Sequence, residues 1–185
     1  MLNSRTSTIV SLFSLMLVFS FVTNSAYAQE SYWYAGASFG EASIAEDIYD
    51  DSTPTSFFIG KRNSENTAFE FGYLDLGGFE SAPDDPDYDA TADISGFKVS
   101  ALGLTKIGES VEFFGRAGLF IWEGEEVFND PIPFESDDSD ISLLLGLGFN
   151  FPVGTSFGAR AEYAQYLDIG EEDSDVIHLG VYVNF

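Results

Sequence analysis

The sequence predicts an all-β fold in which eight antiparallel strands close into an up-and-down β-barrel, preceded by an N-terminal signal peptide. Three observations predict this fold. Eight segments alternate apolar and polar residues with the period of two that is typical of strands. The connections between these segments alternate between long and short, and most of the acidic residues lie in the long ones.

Residues 1–28 are predicted to be a secretory signal peptide, which leaves residues 29–185 as a single mature domain. Arg5 supplies a positive charge, residues 9–22 are apolar apart from three serines, and Ala26-Tyr27-Ala28 supplies small residues for cleavage. The apolar stretch is shorter than the roughly 20 residues of a transmembrane helix. An uncleaved anchor is the alternative interpretation.

The strands are assigned from their alternation, their β-branched and aromatic content, and the turn residues that bound them. No strand has a proline at its centre, where proline would remove a ladder hydrogen bond. The predicted strands are residues 31–40, 54–62, 67–75, 93–106, 110–122, 140–151, 154–167 and 175–185.

The long connections carry most of the charge. The chain has 31 acidic and 7 basic residues. Of the acids, 25 lie in the connections 41–53, 76–92, 123–139 and 168–174 or at the adjoining strand ends, and no Lys or Arg lies among them. Short turns at one end and longer loops at the other are typical of outer-membrane barrels. Because phosphate contacts need clustered Lys and Arg, this charge balance excludes nucleic-acid binding.

The alternation by itself permits two orientations of the strands. In a membrane barrel the apolar face meets lipid and the polar face lines the interior, whereas a soluble, lipocalin-like barrel has the opposite arrangement. Charges of both signs occur at mid-strand. In a membrane barrel these side chains would form an internal ion-pair network of Glu70, Lys98, Glu112, Arg116, Arg160 and Glu162.

Glycines favour the membrane orientation. Eight of them share the face of the mid-strand charges, and small side chains suit the crowded interior of an eight-stranded barrel. Aromatic residues near the strand ends predict two belts at the membrane interfaces. We expect Tyr32, Trp33, Phe149, Phe151 and Phe185 at the short-turn end, and Phe39, Tyr73, Trp122 and Tyr166 at the other.

Four stretches together resemble the small outer-membrane barrels related to the transmembrane domain of outer-membrane protein A. They are Tyr32–Gly40, Phe69–Gly77, Phe113–Leu119 and Gly180–Phe185. The resemblance implies a porin-like, transmembrane barrel in the outer membrane of a Gram-negative bacterium, in contact with lipid and lipopolysaccharide. It also implies that Phe185 is part of an assembly signal read by the barrel-assembly machinery. We expect a monomer.

Two kinds of chemistry need consideration. His178 lies on the inward face of the last strand, and a lipid A modifying barrel enzyme centred on it is one alternative. We expect no enzyme, because no nucleophile or metalloprotease motif accompanies this histidine. Carboxylates suited to Ca²⁺ or Mg²⁺ cluster in two loops, so divalent cations are the one cofactor class considered. The candidate contacts are Asp84, Asp85, Asp87, Asp89, Asp137, Asp138 and Asp140.

The function predicted from the sequence is therefore a non-enzymatic outer-membrane barrel with acidic extracellular loops. Its role would be structural or one of surface interaction, and the acidic loops would either bind cations or form a solvated surface that avoids aggregation. The soluble ligand-binding barrel and the lipid A modifying enzyme remain the alternatives.

Overall fold

A computed structural model describes residues 31–44, 51–80, 90–128, 134–169 and 172–185. The predicted signal peptide lies outside these ranges. Eight strands pair in chain order, each antiparallel to the next, and the last pairs with the first to close a barrel. The eight-stranded fold is thus confirmed. The strands are β1 (Tyr32–Ile44), β2 (Thr55–Ser64), β3 (Thr67–Glu80), β4 (Ala90–Ile107), β5 (Val111–Phe128), β6 (Phe134–Val153), β7 (Phe157–Ile169) and β8 (Glu172–Asn184).

Several strands are longer than the sequence predicted. β4 and β5 have 18 residues each and β6 has 20, and most of their extra residues lie at the acidic end. The sequence analysis assigned these acidic and Pro-containing stretches to loops. In the structure antiparallel pairing continues through them, as in the pairs Asp93 with Glu125 and Phe128 with Phe134. No helix among the described residues is long and apolar enough to cross a membrane.

The side chains follow the membrane orientation. Along β8, Ile177, Leu179 and Val181 are more than half exposed, whereas the alternate residue His178 is buried. Arg116 is only 5% exposed, so the mid-strand charges point into the lumen. The soluble, lipocalin-like alternative required the opposite arrangement and is therefore wrong.

Tight turns join the strands at the end of the barrel opposite the acidic end. Gly108 and Gly154 have φ angles of 70° and 69°, a left-handed conformation that favours glycine. These turns follow β4 and β6, and the turn after β2 contains Glu65 and Asn66. In outer-membrane barrels the short-turn end is periplasmic and the end with the longer connections is extracellular, and the two ends are named accordingly below.

The extracellular half of the lumen is filled mainly by apolar side chains, with a few buried serines among them, and the sequence analysis did not predict this filling. Seven of the eight strands contribute to this group, and all its members are 8% exposed or less. We call it the outer plug. It consists of Ala42, Leu74, Leu76, Phe79, Ile94, Phe120, Trp122, Leu144, Ala164, Tyr166, Ile169 and Val176.

Two plug residues correct the predicted aromatic belt. Trp122 and Tyr166 were expected at the extracellular lipid interface, but they are 5% and 1% exposed inside the barrel. Both lie in phase with inward neighbours, Trp122 with Phe120 and Tyr166 with Ala164. Phe39 and Tyr73 do face outward, as predicted. At the short-turn end Tyr32 was also expected at the lipid interface, but it points into the barrel, where its hydroxyl accepts a hydrogen bond from Arg62.

The lumen is layered along its axis, and β5 passes through every layer. From the extracellular end, its inward residues are first Trp122 and Phe120 of the outer plug, then Arg116, then Phe114, and finally Glu112. Phe114 belongs to a second apolar group nearer the periplasm, the inner cluster. This cluster consists of Tyr34, Phe58, Ala68, Leu102, Leu104, Phe114 and Tyr182.

Candidate functional site

A buried layer of charged and polar side chains separates the outer plug from the inner cluster. We call it the polar layer, and Glu70 on β3 is at its centre. Arg116 on β5 donates from Nη2 to Glu70 Oε2 at 2.6 Å. Arg160 on β7 donates from Nη1 to Glu70 Oε1 at 2.7 Å, and the Tyr34 hydroxyl donates to the same oxygen at 2.7 Å. Both carboxylate oxygens are thus paired, as a buried charge requires.

Glu162 extends the polar layer toward the far side of the lumen. Its Oε1 lies 2.5 Å from Nε of Arg116, an ion pair without hydrogen-bond geometry, and its Oε2 accepts a bond from Arg116 Nη2 at 3.1 Å. Arg116 Nη1 donates to Ser100 Oγ at 2.7 Å. One guanidinium therefore joins three strands to its own.

Glu112 lies nearer the periplasm and pairs with Arg62, the last residue of the predicted second strand and not a member of the predicted network. Arg62 donates to both carboxylate oxygens of Glu112, at 2.6 and 3.0 Å. Asn150 donates to Glu112 at 3.0 Å and accepts a bond from Arg160 Nε at 2.9 Å, which connects this pair to Glu70. Arg62 is in phase with the inward residues Phe58 and Gly60, and this phase is the signal that could have identified it.

Lys98 is the predicted network member that the structure does not bring into an ion pair. It is 5% exposed in the lumen, beside Gly72, but it forms no salt bridge with a carboxylate in the described parts of the chain. The other five predicted residues each form at least one salt bridge.

Arg160 is enclosed by four aromatic rings. Its guanidinium carbon lies 4.6 Å from the ring centre of Phe58 and 4.9 Å from that of Phe114. The rings of Tyr182 and Tyr34 are 5.8 and 5.9 Å away. Cations are attracted to aromatic faces at such distances, most strongly where water is excluded. The inner cluster therefore holds Arg160 in place beside Glu70.

His178 lies in the lumen close to the outer plug. It is 2% exposed, its Nδ1 is 3.5 Å from Ser38 Oγ, and its Nε2 has no hydrogen-bond partner among the described residues. A Ser–His contact is thus present, but it is buried within the barrel and not at the extracellular rim where a lipid substrate would approach.

The candidate cation contacts are only partly described. Asp84, Asp85, Asp87 and Asp89 lie outside the described residues, and of Asp137 only the backbone is described. Asp138 and Asp140 are exposed on β6. Among the described residues, no three His, Asp or Glu side chains are grouped as they would be around a metal ion.

The periplasmic rim carries the residue predicted to be an assembly signal. Phe185 is 67% exposed and exchanges backbone hydrogen bonds with Trp33, at 2.8 and 3.0 Å. Beside it, Lys61 Nζ lies 5.5 Å from the ring centre of Trp33. Cationic and aromatic side chains are common at a membrane interface.

Comparison with solved structures shows the same fold in outer-membrane proteins. The Ail attachment invasion locus protein of Yersinia pestis, in complex with the heparin analogue sucrose octasulfate, matches with a TM-score of 0.57 and 18% identity. This match covers 84% of the present chain and 97% of Ail. Neisserial surface protein A matches with a TM-score of 0.54 and 18% identity, over 84% of the present chain and 97% of that one.

A third similar structure is the N-terminal β-barrel domain of Pseudomonas aeruginosa OprF. Its TM-score is 0.56 and its identity 13%, with coverage of 84% of the present chain and 100% of that domain. Comparison with curated protein sequences gives no match.

The family comparison agrees with the fold. The model of the OmpA-like transmembrane domain matches residues 28–182, which is most of the sequence. The predicted resemblance and the predicted location are thereby confirmed: the protein is a β-barrel of the Gram-negative outer membrane, surrounded by its lipid and lipopolysaccharide. The chain belongs to the family of OmpA-like transmembrane domains.

Proposed function

We propose that this barrel is a non-enzymatic structural or surface-interaction protein whose acidic extracellular end binds cations. The acidic end would contact cationic ligands directly, and it would contact the phosphates of lipopolysaccharide through the bound cations. The proposal rests chiefly on the cross-strand register at the extracellular end. There Asp93 of β4 pairs with Glu125 of β5, which pairs in turn with Asp137 of β6.

This register places like charges directly opposite one another. Asp93 and Glu125 are both exposed, and the neighbouring row of the same strands contains Glu123 between Ser95 and Ser139. Directly opposed like charges destabilise a strand pair. Hard divalent cations prefer carboxylate oxygens, and a cation shared by adjacent strands would remove this repulsion. The sequence provides no Lys or Arg in these connections to do so.

The same charge pattern argues against a polyanionic ligand. Ail was crystallised with sucrose octasulfate, a ligand with eight sulfate groups. In the present chain the four long connections and adjoining strand ends contain 25 acids and no basic residue. Such a surface would repel a sulfated sugar and attract cations, so the ligand class differs from that of this structural relative.

The environment of His178 supports a non-enzymatic role. A general base must reach the substrate proton directly or through one water. His178 and Ser38 are 2% and 9% exposed within the lumen, below the outer plug. A lipid A molecule in the outer leaflet has no path to them.

Three further proposals concern export, assembly and oligomeric state. We propose cleavage after Ala28, recognition of the Phe185 strand by the barrel-assembly machinery, and a monomeric barrel. The closed barrel supports the last point, because each described strand pairs with a neighbour on both sides within the barrel wall.

Calorimetric titration of the refolded, detergent-solubilised protein with Ca²⁺ and Mg²⁺ tests the cation proposal. We expect saturable binding that is weakened at least several-fold in Asp93→Asn/Glu125→Gln, because two ligand carboxylates are lost. The matched control, Glu65→Gln/Glu109→Gln, removes two exposed acids from the periplasmic turns and should bind as the wild type does. The proposal fails if both variants bind equally, or if Na⁺ at equal ionic strength reproduces the heat.

A further inference from the structure

The two ends of the lumen differ in their access to water. At the periplasmic end a small cavity of about 20 Å³ is lined by polar groups that include Arg62, Glu112, Asn150 and Arg160. This volume admits about one water molecule, which needs roughly 10–15 Å³ and two to four polar partners. At the extracellular end the outer plug fills the lumen with apolar side chains.

The centre of the outer plug is closed by aromatic contact. The rings of Phe120 and Tyr166 meet edge to face, with centres 5.1 Å apart, and Phe120 is completely buried. The indole nitrogen of Trp122 donates to Ser142 Oγ at 2.8 Å, and this hydroxyl donates to the backbone oxygen of Asp168 at 2.9 Å. These polar groups are therefore occupied by protein partners and are not available to water or an ion.

The plug is also deep. On β3 it extends from Leu74 to Phe79, across a β-bulge between Asp75 and Gly77. Strands rise about 3.4 Å per residue and tilt by roughly 45° in such barrels, which gives a dry segment about 10 Å deep. An ion that crossed it would exchange its hydration for at most a few buried serine hydroxyls, whereas the polar layer offers carboxylates and guanidinium groups.

We infer that the outer plug, and not the layer of ion pairs, is the barrier to ions in this barrel, and that water reaches the polar layer only from the periplasmic side. The protein is then a closed barrel with a hydrated periplasmic vestibule. Rearrangement of the ion pairs alone does not open it. This inference does not depend on cation binding at the extracellular end.

Reaction of single cysteines with silver ions tests the distribution of water. The sequence contains no cysteine, so each introduced thiol is measured without background. Ala68→Cys places a thiol at the wall of the vestibule, and Val176→Cys places one in the outer plug with little change in volume. Ag⁺ in a chloride-free buffer is small enough to follow water into a narrow space.

In detergent, where both ends are open to the buffer, we expect the thiol of Ala68→Cys to react with Ag⁺ readily. We expect that of Val176→Cys to react roughly 100-fold or more slowly until the protein is unfolded, because reaction then requires local opening. Equal rates for the two folded variants would overturn the inference, as would a folded Ala68→Cys that fails to react.

Ion conductance across planar bilayers tests the barrier itself. We expect wild type and Glu70→Gln to remain at the baseline, and Phe120→Ala/Tyr166→Ala to conduct. The matched control Leu119→Ala/Leu167→Ala changes the outward-facing neighbours on the same strands and should stay at the baseline. Heat-modifiable migration in gels establishes that each variant is folded. Conductance of Glu70→Gln with the plug intact, or a silent but folded Phe120→Ala/Tyr166→Ala, contradicts the inference.

Discussion

Arg116 shows how the lumen contains charges without access to bulk water. Its guanidinium contacts Glu70, Glu162 and Ser100, and it is 5% exposed. A buried ion pair adds little stability relative to an apolar replacement of both partners, but the loss of one partner leaves the other charge uncompensated. Each member of the polar layer therefore depends on the others, and we expect strongly non-additive effects of substitutions.

Replacement of Arg116 by leucine should destabilise the barrel by about 3–5 kcal/mol, because Glu70 and Glu162 would each lose a buried cationic partner. Urea unfolding in lipid vesicles measures the change. The control is Lys106→Gln, which alters an exposed cation at the periplasmic end of β4 and should cost less than about 0.5 kcal/mol. A loss for Arg116→Leu no larger than that of the control would show that the polar layer is not a coupled unit.

Among the elements, β3 owes its shape to one glycine. Gly77 has a φ of 83° at the bulge, and its backbone N–H donates a hydrogen bond to Asp75 Oδ1 at 2.9 Å. The extra residue changes the phase of the strand, so that Leu74, Leu76 and Phe79 all point inward although their spacing is not even. The bulge thus brings Phe79 into the outer plug.

Substitution of Gly77 by alanine should destabilise the protein by roughly 1–2 kcal/mol, because a left-handed conformation is unfavourable for residues with a Cβ. The same substitution at Gly103 on β4 is the control, since its φ is ordinary and a Cβ there would meet no atom within 4 Å. Urea midpoints of the two variants should therefore differ. Equal midpoints would mean that β3 tolerates a shift of the bulge.

The strand centres could be predicted from the sequence because their alternation is unambiguous, as in Ile177–Phe185. The extracellular strand ends could not be predicted in this way. Acidic residues lie on both faces of β5 and β6 there, a pattern typical of loops, although the hydrogen-bonded pairing of the two strands continues. The outer plug was missed for a different reason. Phe120 and Leu144 lie in the inward phase, but a polar lumen was expected of a membrane barrel. Side-chain pairing in the polar layer depends on register, which alternation alone leaves undetermined.

For the molecule as a whole, charge is distributed unequally along the barrel axis. The described basic residues lie in the lumen or toward the periplasmic end, on β2, β4, β5 and β7. The exposed carboxylates of Asp93, Glu123, Glu125 and Asp140 lie at the extracellular end. Repulsion among these carboxylates acts over distances comparable to the Debye length, which is about 10 Å at 0.1 M salt and about 3 Å at 1 M.

Added NaCl should therefore stabilise the wild-type protein, with a higher thermal midpoint of heat-modifiable migration at 1 M than at 0.05 M salt. Asp93→Asn/Glu125→Gln should show a smaller rise, because part of the repulsion is already removed. The periplasmic variant Glu65→Gln/Glu109→Gln should respond to salt as the wild type does. A midpoint that is independent of salt in all three proteins would contradict an electrostatic cost at the extracellular end.

The length of β6 determines how far the protein projects from the cell. Its outward apolar residues end at Ile141, and the ladder continues through Asp140 back to Phe134. These seven residues rise about 17 Å along the barrel axis at the usual tilt. The paired part of β5 and β6 thus stands clear of the hydrocarbon of the bilayer and presents its exposed carboxylates to the surrounding medium.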